Sequence, residues 1–461
     1  MKFRLIFLAL LLPFLSVGQE VLFFENFLRI FEENHPAFKV SEANVNQFRS
    51  SYLATKGAFD PVLAYQSDNK TLAGDEYYTI QNPEIKLQTP YGLRVKAGNE
   101  YSSGKYLNPQ QTPGNLSYMG LELPILKGLL MDNQRAARKQ AEFMVSQSTE
   151  EQRQMLNDIY LEAVEQYWLW ASSFQNNELL KGQSVNAQKR LEMTKLGFDN
   201  GYKSRADTVE AYLQVQNIDL LSQEAFISLR KNAIGLAAYL WDEEGNPYLL
   251  DESQKPQNMP SKLENEQIDD MVALAKLNHP ELKTYQFKLD GLGVERKLNR
   301  QSMLPTLDLK YNLLGKDYFS SEYAVNPYFS NNYKFGIDFK IPLFLREGRG
   351  KFAKTNFKIQ ETTLQQQQKT WSIENKIRQY AVETDLLAKQ IITAGELAEN
   401  YGFLLRNEEL KFSQGESSLF LIISRENKLI DARKKLLEVN FKYLKAYFKQ
   451  QWAAGLLVPS A

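Results

Sequence analysis

His35 and His279 are the only imidazoles in the sequence, and no cysteine accompanies them. Histidine is the usual ligand and general base near neutral pH, so a shared metal or a proton-transfer pair is the first chemistry to weigh. Each histidine sits in the same tripeptide, Asn-His-Pro, in "EENHPAFK" (Glu32 to Lys39) and "KLNHPELK" (Lys276 to Lys283). Each also follows a short segment of helical period, with Leu28, Ile30 and Phe31 before the first and Val272, Leu274 and Ala275 before the second. A metal would need third and fourth ligands that neither cysteine nor further histidine supplies. Proline, by contrast, suits the first turn of a helix and pushes the preceding residue out of the helical region. The histidines are therefore expected to mark helix boundaries. Acid pairs abound on the helical segments, but no nucleophile and base accompany them. No catalytic, cofactor or metal residues are assigned.

The tripeptide belongs to a longer duplication. At the same offset beyond each histidine comes a proline, Pro61 in "AFDPVLAY" and Pro305 in "SMLPTLDLKY", and each opens a strand-like stretch. Further on, "LELPIL" with Pro124 matches "FKIPLF" with Pro342, and "FDNGYKSRADTVEA" with Gly201 matches "FSQGESSLFLIISR" with Gly415. Landmarks that stay in phase mark a repeated unit. Both halves run in one order: short helix, Asn-His-Pro, helix, Pro, strands, Pro, long helix, Gly turn, helix. The expected first repeat covers 19–242, with strands at about 61–124 and long helices over 125–242. A polar loop at 243–266 leads to a second repeat over 267–461, with strands at about 305–342 and long helices over 343–456.

Residues 1–18, "MKFRLIFLALLLPFLSVG", have a basic start, an apolar core and small residues before Gln19. That is the pattern of a secretory signal peptide, too short for a membrane span. Beyond it no run approaches the roughly 20 apolar residues of a membrane helix, so an exported chain could cross a membrane only with strands. The lack of cysteine excludes a disulfide framework and an N-terminal lipid on Cys. Lys+Arg and Asp+Glu balance at 55 each, which argues against a nucleic-acid binder, where a basic excess is expected.

Proline is absent from Ile125 to Asn246 and from Leu343 to Val458. In the first tract Leu156, Ile159, Ala163, Tyr167, Trp170 and Phe174 step by three and four; in the second Leu429, Ala432, Leu436, Val439, Tyr443 and Ala446 do the same. Such spacing suits a coiled-coil seam and equally the apolar face of a bundle helix. Length favours the coiled coil, because a helix over 125–200 would be about 110 Å long, wider than a compact domain. Shorter helices over 36–60 and 204–242 are expected beside it, and helices over 280–304 and 418–456 beside the second long one at 343–414, so each half forms a rod.

Between Pro305 and Pro342 the alternation is that of strands. Leu307, Leu309, Tyr311 and Leu313 interleave with Thr306, Asp308, Lys310 and Asn312, and Tyr333, Phe335, Ile337, Phe339 and Ile341 interleave with Lys334, Gly336, Asp338 and Lys340. About ten residues suffice for a tilted strand to cross a bilayer, and the joining loop carries Tyr318, Phe319, Tyr323, Tyr328 and Phe329, as an interfacial aromatic girdle would. A soluble half-buried sheet would alternate too. The first copy has 26 more residues between its prolines. Its surplus reads as a hairpin: Ile85, Leu87 and Thr89, the turn "TPYG", then Leu93, Val95 and Ala97. If the hairpin joins the wall, each chain gives six strands; if not, 76–103 stand outside it as an extracellular hairpin and the chain gives four. Six is the expectation. Lipid tolerates no open sheet edge and the smallest common barrels have about eight strands, so the chain must oligomerise.

An exported chain with tandem copies of helix, strand pair, long helix, glycine turn and helix resembles the TolC-like outer-membrane efflux family over essentially the whole mature sequence. The best local match is "GYKSRADTVEA" (Gly201 to Ala211), similar to the family's pattern of Gly, Asp six on and Ala ten on at the periplasmic helix tip. The resemblance implies all-α coiled-coil rods with transmembrane β-barrel strands, assembled as a trimeric α-barrel on a shared β-barrel. It implies an outer-membrane channel-tunnel of a Gram-negative cell, its helices in the periplasm, exporting small molecules or proteins. The implied partners are two more copies of the chain, a periplasmic adaptor, an inner-membrane transporter and outer-membrane lipid. Gly201, Tyr202, Ser204, Gly415, Glu416 and Ser418 would form the adaptor-docking tips, and Asp207, Glu210, Leu421 and Ser424 would line the periplasmic entrance. Some members carry acids six and nine positions after the second glycine; here these are Leu421 and Ser424, and the acidic pair Asp207 and Glu210 lies in the first copy, where carboxylates also suit a helix start. The alternative is a periplasmic coiled-coil adaptor or scaffold, which would share the helices but lack aromatic-flanked strands.

Overall fold

The computed structural model describes residues 21–251, 253–264, 267–316 and 332–458. The leader at 1–18 and the aromatic loop from Tyr318 to Phe329 lie outside them. The chain divides into two compact units, each drawn from both sequence repeats. One holds the chain up to Val40, Met155–Ala275 and the chain from Ile373; the other holds Ser41–Gln154 and Lys276–Ser372.

In the first unit a two-residue strand β1 (Val21–Leu22) and helix α1 (Phe24–Asn34) begin the chain, which then enters α2 (Pro36–Lys56). The turn between the helices explains the duplicated tripeptide. His35 ends α1 with extended backbone, and its Nδ1 accepts a hydrogen bond from the Ala37 N–H at 3.2 Å, so the imidazole caps α2 while Pro36 fills the first helical position. His279 repeats the arrangement, Nδ1 accepting from the Glu281 N–H at 3.2 Å ahead of Pro280. Stacking near Phe31, Tyr239 and Trp241 buries the His35 ring and lowers its pKa, a backbone hydrogen bond at Ala238 opposing. This keeps the ring neutral, the form that can cap.

The second unit carries the sheet. Strands β2 (Val62–Leu72), β3 (Asp75–Gln88), β4 (Arg94–Ser103) and β5 (Gly114–Pro124) come from the first repeat. After helices α3 (Asn133–Asp199) and α4 (Arg205–Leu236), strand β6 (Lys255–Pro256) pairs in parallel with β1 in the first unit. Helices α5 (Ile268–Asn278) and α6 (Pro280–Gln301) lead to β7 (Thr306–Lys316) and β8 (Tyr333–Lys340). The six longer strands form one antiparallel sheet in the order β2-β3-β4-β5-β7-β8. The extra hairpin is thus inside the sheet, with β3 and β4 paired on both sides. Its turn is closed by Thr89 N–H donating to the Leu93 carbonyl at 2.8 Å. The sheet is open, with β2 and β8 as its edges.

Two long helices close each repeat: α3 with α4, and α7 (Arg346–Ser413) with α8 (Leu419–Ala453). The first begins at Asn133 rather than 125. Ile125 and Lys127 still donate their N–H groups to the Leu307 and Pro305 carbonyls, prolonging the pairing of β5 and β7, and Gly128 turns at φ +91°. Asp132 then starts the helix, its carboxylate accepting from the Arg135 N–H at 2.8 Å. Proline-free sequence had hidden a non-helical stretch held by strand pairing.

Half of the seam residues expected in α3 and α8 pack together as a core in the first unit. Tyr167, Trp170 and Ala163 of α3 and Val439, Tyr443 and Ala446 of α8 are buried with Phe27 and Phe31 of α1. The Tyr167 hydroxyl donates to the Leu22 carbonyl at 2.6 Å, so this fully buried ring also satisfies its polar end.

Candidate functional site

Each glycine turn ends its long helix in the same way. Gly201 (φ +79°) donates its N–H to the Phe198 carbonyl and Tyr202 donates to Gly197; Gly415 (φ +80°) donates to Phe412 and Glu416 donates to Lys411. This pair of bonds is the Schellman closure, which needs a left-handed residue that glycine supplies without steric cost. Ser204 then caps α4 in a reciprocal box: its Oγ accepts from the Asp207 N–H at 3.2 Å, and the Asp207 carboxylate accepts from the Ser204 N–H at 2.8 Å. Those bonds from Ser204, backbone first, hold the Asp207 carboxyl below the usual carboxylate range. Ser418 caps α8, accepting from the Leu421 N–H at 3.4 Å, but Leu421 has no carboxylate to complete the box. The acid missing from the second tip is thus, in the first tip, a capping group.

The two tips meet. Lys203 Nζ lies 4.1 Å from the centre of the Phe412 ring, a cation on an aromatic face. Tyr202 stands 85% exposed beyond them, and Glu416 and Ser418 are exposed as well. Glu210 is half-buried on α4, and Leu421 and Ser424 are exposed on α8.

Behind the tips lies a cluster that sequence reading missed. Glu426 of α8 is 1% exposed and accepts from Arg190 of α3 at 2.7 Å and from Gln214 of α4 at 3.3 Å. Arg190 also reaches Glu409 of α7 at 3.3 Å, and Gln214 donates to Asn427 at 2.8 Å. One network therefore ties four helices from both repeats. Its trace in the sequence is Glu426 standing in the apolar row Ile422, Leu429, a helical turn from each. Removing one partner of a buried pair leaves the other charge unsatisfied, at a cost of about 3–5 kcal/mol when both are fully buried; Arg190 keeps some solvent and Glu409, so Glu426→Ala should cost about 2–3 kcal/mol. Thermal loss of the helical circular dichroism should come several degrees earlier in Glu426→Ala than in wild type, and an unchanged midpoint would remove the network's structural role.

The sheet is two-faced. One register row crosses it as Leu63, Ile85, Ala97, Met119, Leu313 and Tyr333, and Leu63 at 76%, Met119 at 57% and Tyr333 at 59% are exposed. The opposite face carries ions: Arg94 meets Glu122 at 2.6 Å, Lys310 meets Asp338, and Lys86 meets Glu84. Among the described residues no helix is long and apolar enough to cross a membrane.

The same overall fold occurs in solved structures. The outer membrane channel CmeC of Campylobacter jejuni has TM-score 0.64 and 13% identity, covering 94% of this chain and 85% of that one. VceC, an outer membrane protein of Vibrio cholerae, has TM-score 0.65 and 12% identity, covering 94% and 96%. The open state of the MtrE outer membrane channel of Neisseria gonorrhoeae has TM-score 0.62 and 13% identity, covering 94% and 88%. The chain has the fold of the TolC-like outer-membrane channels. No family model and no curated protein matches its sequence, so the TolC-like likeness is one of fold, at identities where side-chain roles must be argued from this chain. The alternative of a helical adaptor or scaffold implied no such strands, and six of them form one sheet here.

Proposed function

We propose that the protein is an outer-membrane channel-tunnel that carries small molecules or proteins out of the periplasm, or out of an inner-membrane pump, as a homotrimer. The observation that carries this is the sheet: its exposed apolar face suits lipid, its ionic face suits a water-filled lumen, and its edges β2 and β8 are open. Backbone groups at those edges cannot be left unpaired in hydrocarbon. The edges pair with other copies, and three copies of six strands close an eighteen-stranded barrel with the helices in the periplasm.

The helices carry a matching signature. On α4, Ala211, Val215, Ile218 and Ala225 are buried within the chain, while Leu213, Leu220, Ile227 and Ile234 form a second apolar stripe at strict heptad spacing, between 57% and 64% exposed. On α7, Leu397 with Leu404 and Phe403 with Leu410 repeat at the same interval, also exposed. A heptad stripe is the seam of a coiled coil. The α4 stripe of one protomer packs on α7 of its neighbour.

The tips built on Gly201, Tyr202, Ser204, Gly415, Glu416 and Ser418 receive a periplasmic adaptor, which links the channel to an inner-membrane transporter. Asp207, Glu210, Leu421 and Ser424 border the periplasmic entrance, with Asp207 engaged in its cap and only Glu210 presenting a second acid. Purified protein added to a planar lipid bilayer should produce discrete conductance steps. A protein that inserts into vesicles yet never conducts would refute the channel.

A further inference from the structure

Among the described residues the ionic face of the sheet pairs acids with bases except at one level, where lysines are in excess. Strand pairing aligns Lys86, Lys96, Gly120, Asn312 and Lys334 in a single row across β3, β4, β5, β7 and β8. Three of the five are lysines and none is an acid. Two residues along β3, on the same face, Glu84 pairs with Lys86. Lys96 lies 5.6 Å from the centre of the Tyr118 ring. Among the described residues Lys96 makes no salt bridge and shares the charge of Glu84 with Lys86, while Lys334, which is exposed, has no carboxylate partner.

The levels on either side do not share this excess. Toward the turn at Thr89, Arg94 and Lys310 are paired with Glu122 and Asp338, and Lys340 offsets Asp308 on the neighbouring rows. Toward the other end, Glu100 and Lys316 occupy one row through Leu116. Among the described residues this level thus sets three ammonium groups against the one carboxylate of Glu84, an excess of two positive charges per chain on the face opposite Met119 and Tyr333.

We infer that Lys96 and Lys334 form a cationic belt inside the barrel that makes the pore favour anions over cations. The inference rests on the channel reading: closing the barrel from three chains turns the row into a ring bearing the excess charge of every copy. Rings of Lys or Arg are how pores select anions, as rings of Asp or Glu select cations. The field of such a ring extends about 10 Å into 0.1 M salt and about 30 Å into 0.01 M salt, so even a wide lumen is covered at low ionic strength. At the entrance Leu421 and Ser424 bring no acid, whereas Asp207 and Glu210 do, so the share of the belt is read from the difference between wild type and the lysine variants. The favoured solutes are small anions and the anionic ends of larger molecules.

The experiment is the reversal potential of single channels under a potassium chloride gradient of about 10 mM against 100 mM, where screening is weak. Wild type should prefer chloride over potassium by about two- to threefold, as a lumen of one sign concentrates counter-ions, and the preference should fade as both salt concentrations rise. The double variant Lys96→Gln, Lys334→Gln should bring the ratio close to one with conductance retained. Lys334→Gln alone, at an exposed position without partners, should give an intermediate ratio and guards against a folding defect at Lys96. A cation-selective wild type, or a ratio unmoved in the variants, would overturn the belt while leaving the channel in place. An absence of any conductance would overturn the channel reading and the belt with it.

Discussion

Placing two carboxylates on the exposed stripe of α4, as Leu220→Glu with Ile227→Glu, should leave the protein monomeric. Both side chains are more than 60% exposed in the single chain, so neither holds α4 against its own partners; that work is done by Ala211, Val215, Ile218 and Ala225 on another face of the helix. The helical circular dichroism of the double variant should therefore match wild type. In the proposed trimer the same two positions would be buried, each leucine or isoleucine contributing about 1.5–3 kcal/mol. A glutamate in its place loses that burial and adds the desolvation of a charge, which costs several kcal/mol unless it is paired. The loss is repeated at each of three equivalent interfaces. Light scattering of the detergent-extracted protein is the measurement, with Ser228→Glu, an exposed polar position about a quarter-turn around the helix from the stripe, as control. Trimers of undiminished stability in the double variant would show that the stripe faces solvent or another partner, and the packing of α4 on α7 would be withdrawn.

How much of this was legible in the sequence depends on the range of the interaction responsible. The duplicated Asn-His-Pro, the two glycine turns and the alternation of β7 and β8 are local, set by residues within a few positions of one another, and each appears where its spacing placed it. The hairpin of β3 and β4 was legible for the same reason: period-two alternation on either side of a short turn. The start of α3 was not, because residues 125–132 are held by hydrogen bonds to Pro305 and Leu307, nearly two hundred positions away. The Arg190–Glu426 pair spans 236 positions, and no local pattern announces its partner. The lysine row is the extreme case. Lys86, Lys96 and Lys334 become one feature only when the register of five strands is known, and a slip of one residue in any strand would turn its lysine to the opposite face.

The second large effect is expected at the tips. Gly415→Val should abolish efflux while leaving trimer and membrane insertion intact. A Cβ built on Gly415 meets nothing within 4 Å, so the obstacle is the backbone angle of +80° and not crowding. A β-branched residue resists that left-handed conformation by about 1–3 kcal/mol, and the turn will relax by opening the bonds from Gly415 to Phe412 and from Glu416 to Lys411. Glu416, Ser417 and Ser418 then shift together, and Ser418 carries the cap of α8. Gly415→Asn separates conformation from composition, because asparagine tolerates the left-handed region and serves as the alternative at this cap position; it should keep most of the efflux. At Ser418 the pair Ser418→Asp and Ser418→Trp does the same, the first retaining a capping oxygen and the second losing it at a cost of about 1 kcal/mol while adding bulk to the surface proposed to meet the adaptor. The measurement is drug tolerance of cells in which the variant is the sole copy, read beside the amount of trimer in the outer membrane. Because Gly415 and Ser418 lie on the helical tip and not among the strands, barrel assembly should not register the change. Full tolerance in Gly415→Val with normal trimer levels would mean that the adaptor does not read this turn, and the docking role of both glycine tips would fall.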